Sequence, residues 1–196
     1  MTQPADLTRL MDNARMNLPG ALDPAIKLEL FNTLDEFLRE SKVWLEDVTV
    51  EVSSARTDYE ILSQDPGTII SLMSLADEND VRVGATMEVP GTIILTREQT
   101  ETRDLVAKVA LNVVDPVDND DYPQIPEWLL AKYHYAILAG LLAKMMAQMA
   151  KPYSNERMAI FNLRKFRAAI SVARAEASHQ GLYGGQRWRF PNFAQR

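Results

Sequence analysis

One stretch limits the architecture of this chain more than any other. Between positions 127 and 150, Ala136, Ala139, Gly140, Ala143, Ala147 and Ala150 recur at spacings of three and four. That places them along one face of a helix. Side chains this small raise no ridge, so another helix can come close to the backbone. The expectation is a tight helix or subunit contact along Ala136, Ala139, Gly140, Ala143 and Ala147. A second helical pattern, 154–177, follows the linker KPYSN and carries Phe161, Phe166, Ile170 and Ala173 among arginines. Both patterns describe a packing surface, and neither contains a recognisable reaction centre.

Upstream, the hydrophobic period changes twice. Positions 6–18 put Leu7, Leu10, Met11 and Ala14 on one helical face, and Pro19-Gly20 stops that helix. Asp23-Pro24 then opens a second helix, with Asp23 expected as N-cap and Pro24 as the first helical residue. Its apolar stripe is Ile26, Leu30, Leu34, Phe37 and Leu38, with Glu29, Asp35, Glu36 and Glu40 facing water, and it ends near Ser41. From Val43 the period becomes two, with Val48, Val50 and Val52 alternating against acidic residues. Further strands are predicted at 59–62, 68–75, 81–89, 92–96 and 105–114. The turns QDPG, ADEND and Pro90-Gly91 and the polar run REQTETRD separate them. Gly84 inside a strand pattern suggests a bulge. The fold class expected is α+β. Residues 1–42 and 120–178 form a helical bundle of about four helices. Residues 43–119 form an inserted antiparallel β-sandwich or barrel-like domain, and residues 179–196 an extended C-terminal arm.

Composition narrows the chemistry. The 196 residues include no cysteine, which removes disulfides, thiol nucleophiles and cysteine metal sites. No signal-peptide pattern opens the chain at MTQPADLTRL. The apolar run at 128–150 is interrupted by Lys132, His134, Lys144 and Gln148, too polar for a membrane span. A soluble protein with no membrane partner is expected. The net charge of −6 is unevenly spread: residues 1–127 hold 10 Lys+Arg against 25 Asp+Glu, or −15, and residues 128–196 hold 11 against 2, or +9. Either the two parts attract each other, within the chain or between copies, or they face different partners.

The chain holds two histidines, His134 and His179, far apart in sequence, and His134 reads as a packed or solvated residue. No Ser/His/Asp order, HExxH, Walker loop or GxGxxG is present. Asp115, Asp118, Asp120 and Asp121 cluster in an oxygen-rich loop without the glycine or closing glutamate of an EF-hand. A solvated turn is the reading there, as for ADEND at 76–80. No catalytic residue, cofactor or metal is expected. Arg157, Arg164, Lys165, Arg167 and Arg174 make the last helix basic. They can meet an acidic neighbour or, as the alternative, the phosphates of a nucleic acid. The acidic total argues against nucleic acid as the primary partner. Beyond that helix, three glycines accompany Tyr183, Arg187, Trp188, Arg189, Phe190 and Phe193. A tail this rich in aromatic residues and arginine either folds back on its own core or docks on another chain. Docking is favoured, because Trp and Arg are common interface anchors.

The order of parts resembles a known family. YPQIPEWLLAKY leads into the alanine-rich helix. KPYSN, a basic helix and GLYGG before an aromatic tail follow. This looks like a bacteriophage head-to-tail adaptor, or connector, of the tail tubular protein A type found in short-tailed phages. In that family an acidic loop and an (I/M)PE start also lead into a long helix after a β-rich insertion. TDYEIL at 57–62 resembles the start of that β-rich region, so the likeness covers about residues 57–193. It implies a structural virion protein at the head-tail junction, made in the host cytoplasm and without enzymatic activity. It implies a dodecameric ring of identical copies between the portal protein and a tail or nozzle protein. DNA would pass through the ring during genome ejection without sequence readout. It also implies that the arm, with Trp188, Phe190 and Phe193 as anchors, embraces the portal.

Overall fold

The computed structural model describes residues 4–54, 56–98, 100–114 and 122–179. Among them, two helices precede the strands and two follow. The first pair is α1 (Thr8–Asn17) and α2 (Asp23–Ser41). The strands are β1 (Leu45–Val52), β2 (Asp58–Glu60), β3 (Gly67–Ala76), β4 (Ala85–Val89), β5 (Thr92–Leu95) and β6 (Arg103–Val113). The second pair is α3 (Glu127–Met146) and α4 (Glu156–His179). The molecule is a mixed α+β protein.

The predicted stripes of the first two helices are the buried ones. Leu10, Met11 and Ala14 of α1 and Ile26, Leu30, Leu34, Phe37 and Leu38 of α2 are wholly shielded from solvent. The link between these helices differs from expectation. Asp23 does not cap α2, because Leu22 occupies the N-cap and makes no side-chain cap bond. The Asp23 carboxylate is taken by Arg15, which donates to it at 2.8 Å and to Asp12 at 2.7 Å. Pro24 still sits in the first turn, where a missing N–H costs nothing. At the far end Lys42 turns left-handed at φ 53°, and its N–H closes on the Leu38 carbonyl at 2.8 Å.

The strands form two antiparallel three-stranded sheets, ordered β1-β6-β3 and β2-β5-β4, and neither closes into a barrel among the described residues. β1 pairs with β6 from Leu45↔Ala110 to Val52↔Arg103. Val48, Val50 and Val52 point inward while Asp47, Thr49 and Glu51 point out, as a period of two requires. β6 lies between β1 and β3 and against α2, which is why its second half, Val109 to Val113, is buried on both faces. Gly84 falls just before β4 and not within a strand. The bulges lie instead in β3, at Ile69/Ser71 and Leu72/Ser74, and in the β4–β5 ladder at Thr86/Val89. Both sheets and all four helices share one contiguous hydrophobic cluster. Trp44, buried where α2 hands over to β1, closes on Gly67, where an added Cβ would sit 3.0 Å from the indole ring.

Candidate interaction surfaces

α3 is the hub. Its start is pinned by the N-terminal segment: the Ala5 N–H donates to the Ile125 carbonyl at 2.9 Å, and Pro4 bridges to Pro126. α3 then packs against α1, α2 and α4. At the point of closest approach stands Gly140. A Cβ built there would lie 2.6 Å from Thr33 Cγ2 of α2 and 2.7 Å from the Phe166 ring of α4. Only hydrogen fits. Ala139 and Ala143 are also buried, Ala136 is half-buried, and Ala147 and Ala150 are exposed. The small-residue row is thus divided. Its middle is consumed inside the chain, and Ala147 borders an open apolar groove with Met146, Met149, Ala159, Ile160 and Leu163.

The linker after α3 is built by its own polar residues. Ser154 Oγ donates to the Gln148 carbonyl and accepts from the Lys151 N–H, while Tyr153 is buried and donates to Gln148 Oε1 at 3.0 Å. Asn155 then caps α4, its Oδ1 accepting from the Met158 N–H at 3.1 Å.

The charge division of the sequence is partly used within the chain. Lys144 of α3 pairs with Glu36 at 2.9 Å and donates to the Asn32 carbonyl at 2.8 Å. Arg174 of α4 holds both the Glu40 carboxylate, at 2.5 Å, and the Glu40 carbonyl, at 2.8 Å. Asp35 accepts from the buried Asn112 of β6 at 2.6 Å. Three of the α2 acids expected to face water therefore hold α2 to its neighbours. Between α3 and α4, Tyr133 donates to Glu176 at 2.5 Å and Lys132 pairs with the same carboxylate at 2.7 Å. Lys132, then Tyr133, hold Glu176 below the usual carboxylate range. Burial, reinforced by Glu176, pushes the Tyr133 phenol up to about 12. Nothing in the local sequence marks this cluster, since its members lie 43 positions apart.

His134 packs against α1. Its Nε2 lies 3.3 Å from Asn13 Nδ2, and burial, helped by Arg9, lowers its pKa. The amide faces Nε2 as a donor, so this ring nitrogen is the acceptor of a neutral imidazole. In the ADEND turn, Asp77 Oδ1 accepts from the Asn79 and Val81 N–H groups, both at 2.9 Å. That acid shapes its own turn. Among the described residues no group of three or more His, Asp or Glu is placed to hold a metal, and no helix is long and apolar enough to cross a membrane.

The outer face of α4 is different. Arg157, Arg164 and Arg167 are exposed and have no acid within ion-pair distance among the described residues. Large apolar side chains stand among them: Ile160, Phe161 and Val172 are 46%, 50% and 58% exposed. Lys165 lies 4.3 Å over the Phe161 ring, a cation–π contact. Asp115, Asp118, Asp120 and Asp121, and the arm residues Tyr183, Arg187, Trp188, Arg189, Phe190 and Phe193, lie outside the described residues.

No family model matches this chain, and no curated protein matches it.

Proposed function

We propose that this chain is a structural adaptor of a phage head-tail junction. In this reading it forms a ring of identical copies, joins portal to tail, and performs no catalysis. The helices from both chain ends act as a bundle, with residues 43–119 as the inserted β domain and residues 179–196 as the arm that grips the portal. DNA passes through the ring without base readout. The observation that carries the reading is the outer face of α4, which exposes arginines and large apolar side chains side by side. A face of that kind is the mark of a protein contact. The order of the motifs YPQIPEWLLAKY, KPYSN and GLYGG supports the adaptor family in particular.

The test is a deletion of residues 179–196. The shortened chain keeps its helical circular dichroism and its melting temperature but no longer joins purified portal rings in electron micrographs. Normal attachment of the shortened chain sinks the docking arm, and failure of the full-length chain to join any portal sinks the adaptor reading. A second reading is favoured by Arg157, Arg164 and Arg167, which have no acid within ion-pair distance among the described residues: an accessory protein that binds nucleic acid through α4 and the tail. It requires affinity for duplex DNA that falls steeply between low and moderate salt.

A further inference from the structure

We infer that the outer face of α4 is a seat for a second copy of this chain, which presents the solvent face of its β1–β6 ladder. This rests on the assembling role proposed above and adds the surfaces that carry it. Arg157, Phe161, Arg164 and Val172 recur at helical spacing and form one row roughly 22 Å long. Other cations of this half are already satisfied: Lys144 by Glu36, Arg174 by Glu40 and Lys132 by Glu176. Among the described residues the outer arginines have no acid within ion-pair distance.

The complement lies on the ladder. Glu51 of β1 stands directly across from Asp104 of β6, both exposed, and neither has a cation among the described residues. Like charges opposed across two strands destabilise the pair. A guanidinium inserted between them removes that repulsion and gains charge-assisted hydrogen bonds. One pair further along the same face, Val106 is 39% exposed beside Thr49, an apolar spot for Phe161. The arginines and Phe161 of α4 thus meet an acidic pair and an apolar spot at one end of the ladder, while the next pair on that face, Asp47 and Lys108, is already matched at 3.6 Å. Phosphate groups match only the arginines and leave Phe161 and Val172 in water, which favours protein over nucleic acid. Both faces are exposed in the same chain, so they do not meet within one molecule. The contact is heterologous, and such contacts repeat into rings or open filaments.

The experiment uses the full chain in sedimentation equilibrium. Wild type at low salt self-associates, and raising the salt weakens it, because exposed pairs are screened over about 10 Å at 0.1 M. Arg164→Glu with Arg167→Glu raises the dissociation constant by about tenfold or more, the equivalent of about 1.4 kcal/mol. Its melting temperature stays unchanged. Mixing that variant with Glu51→Lys/Asp104→Lys, each impaired alone, restores association between the two. A wild-type chain that stays solitary overturns the contact, as does a double-Glu variant that associates normally. Loss of duplex-DNA affinity in the double-Glu variant, with no self-association to lose, also overturns it and assigns the face to nucleic acid. The two proposals fail separately. Portal binding by a solitary wild-type chain leaves the adaptor reading standing. Salt-sensitive self-association in a chain that ignores the portal leaves this contact standing.

Discussion

At the scale of single residues, Gly140 is the most constrained position described. Added carbon there meets Thr33 and Phe166 inside normal contact distance, and both neighbours are fixed in a packed interior. Gly140→Ala gains helix propensity of about 1 kcal/mol. Overpacking costs typically about 1–3 kcal/mol, so the net result is a loss. Gly140→Leu loses more and forces α2 or α4 away from α3. Ala147→Leu, on the same helical row but exposed, shifts stability by no more than about 0.5 kcal/mol. Thermal melts of the three variants check this, and a Gly140→Ala protein as stable as wild type refutes the tight contact. Spacing revealed the row but gave no means of ranking its members. Whether Gly140 or Ala147 sits at the crossing depends on where α2 and α4 pass, and that is set by residues as distant as Thr33 and Phe166, 107 and 26 positions from Gly140.

At the scale of elements, the α3–α4 contact carries a titrating device. Glu176 ionises more readily in the fold than in the open chain, because Lys132 and the Tyr133 hydroxyl hold its charge. Its contribution is present above the ordinary glutamate value and is lost as pH falls through its lowered one. Tyr133 shifts the other way, from 10.0 to about 12, so its contribution is intact below pH 10 and lost as pH climbs toward 12. Melting temperature is therefore expected to decline at both extremes. In Glu176→Gln the acid decline becomes shallower, and in Tyr133→Phe the alkaline one does, each from a lower starting stability at pH 7. Unchanged slopes in both variants remove this account. The helices and most strands were readable from period and turn residues, because those signals are local. Lys132, Tyr133 and Glu176 were not, because nothing beside either helix segment announces its partner. The same holds for α2. Its acids were legible as a polar face, while their pairing with Lys144, Arg174 and Asn112 is a product of tertiary packing.

At the scale of the whole molecule, a single hydrophobic cluster runs from α1 through both sheets to α4. Helices and sheets are then expected to unfold together. Helical circular dichroism and the near-ultraviolet signal of buried aromatics such as Trp44 should trace one superimposable transition on heating. Two separated transitions would mean that the strands hold together independently of the helices. The charge division was visible from composition alone, and the structure gives it a finer grain: a set of pairs within the chain and a set of arginines on α4 that have no acid within ion-pair distance among the described residues. The aromatic tail, on which the portal-gripping reading depends, falls outside the described residues, as do the lead-in acids.

The bridge between Pro4 and Pro126 sets an order on how this protein can be made. A ribosome finishes α2 about a hundred residues before it finishes α3, and at typical elongation rates that interval lasts roughly 5–20 s. Throughout it, α1 and α2 lack the helix that both pack against. The nascent chain must be sheltered during that wait or remain loosely collapsed, and the first segment docks only after residue 126 has been translated.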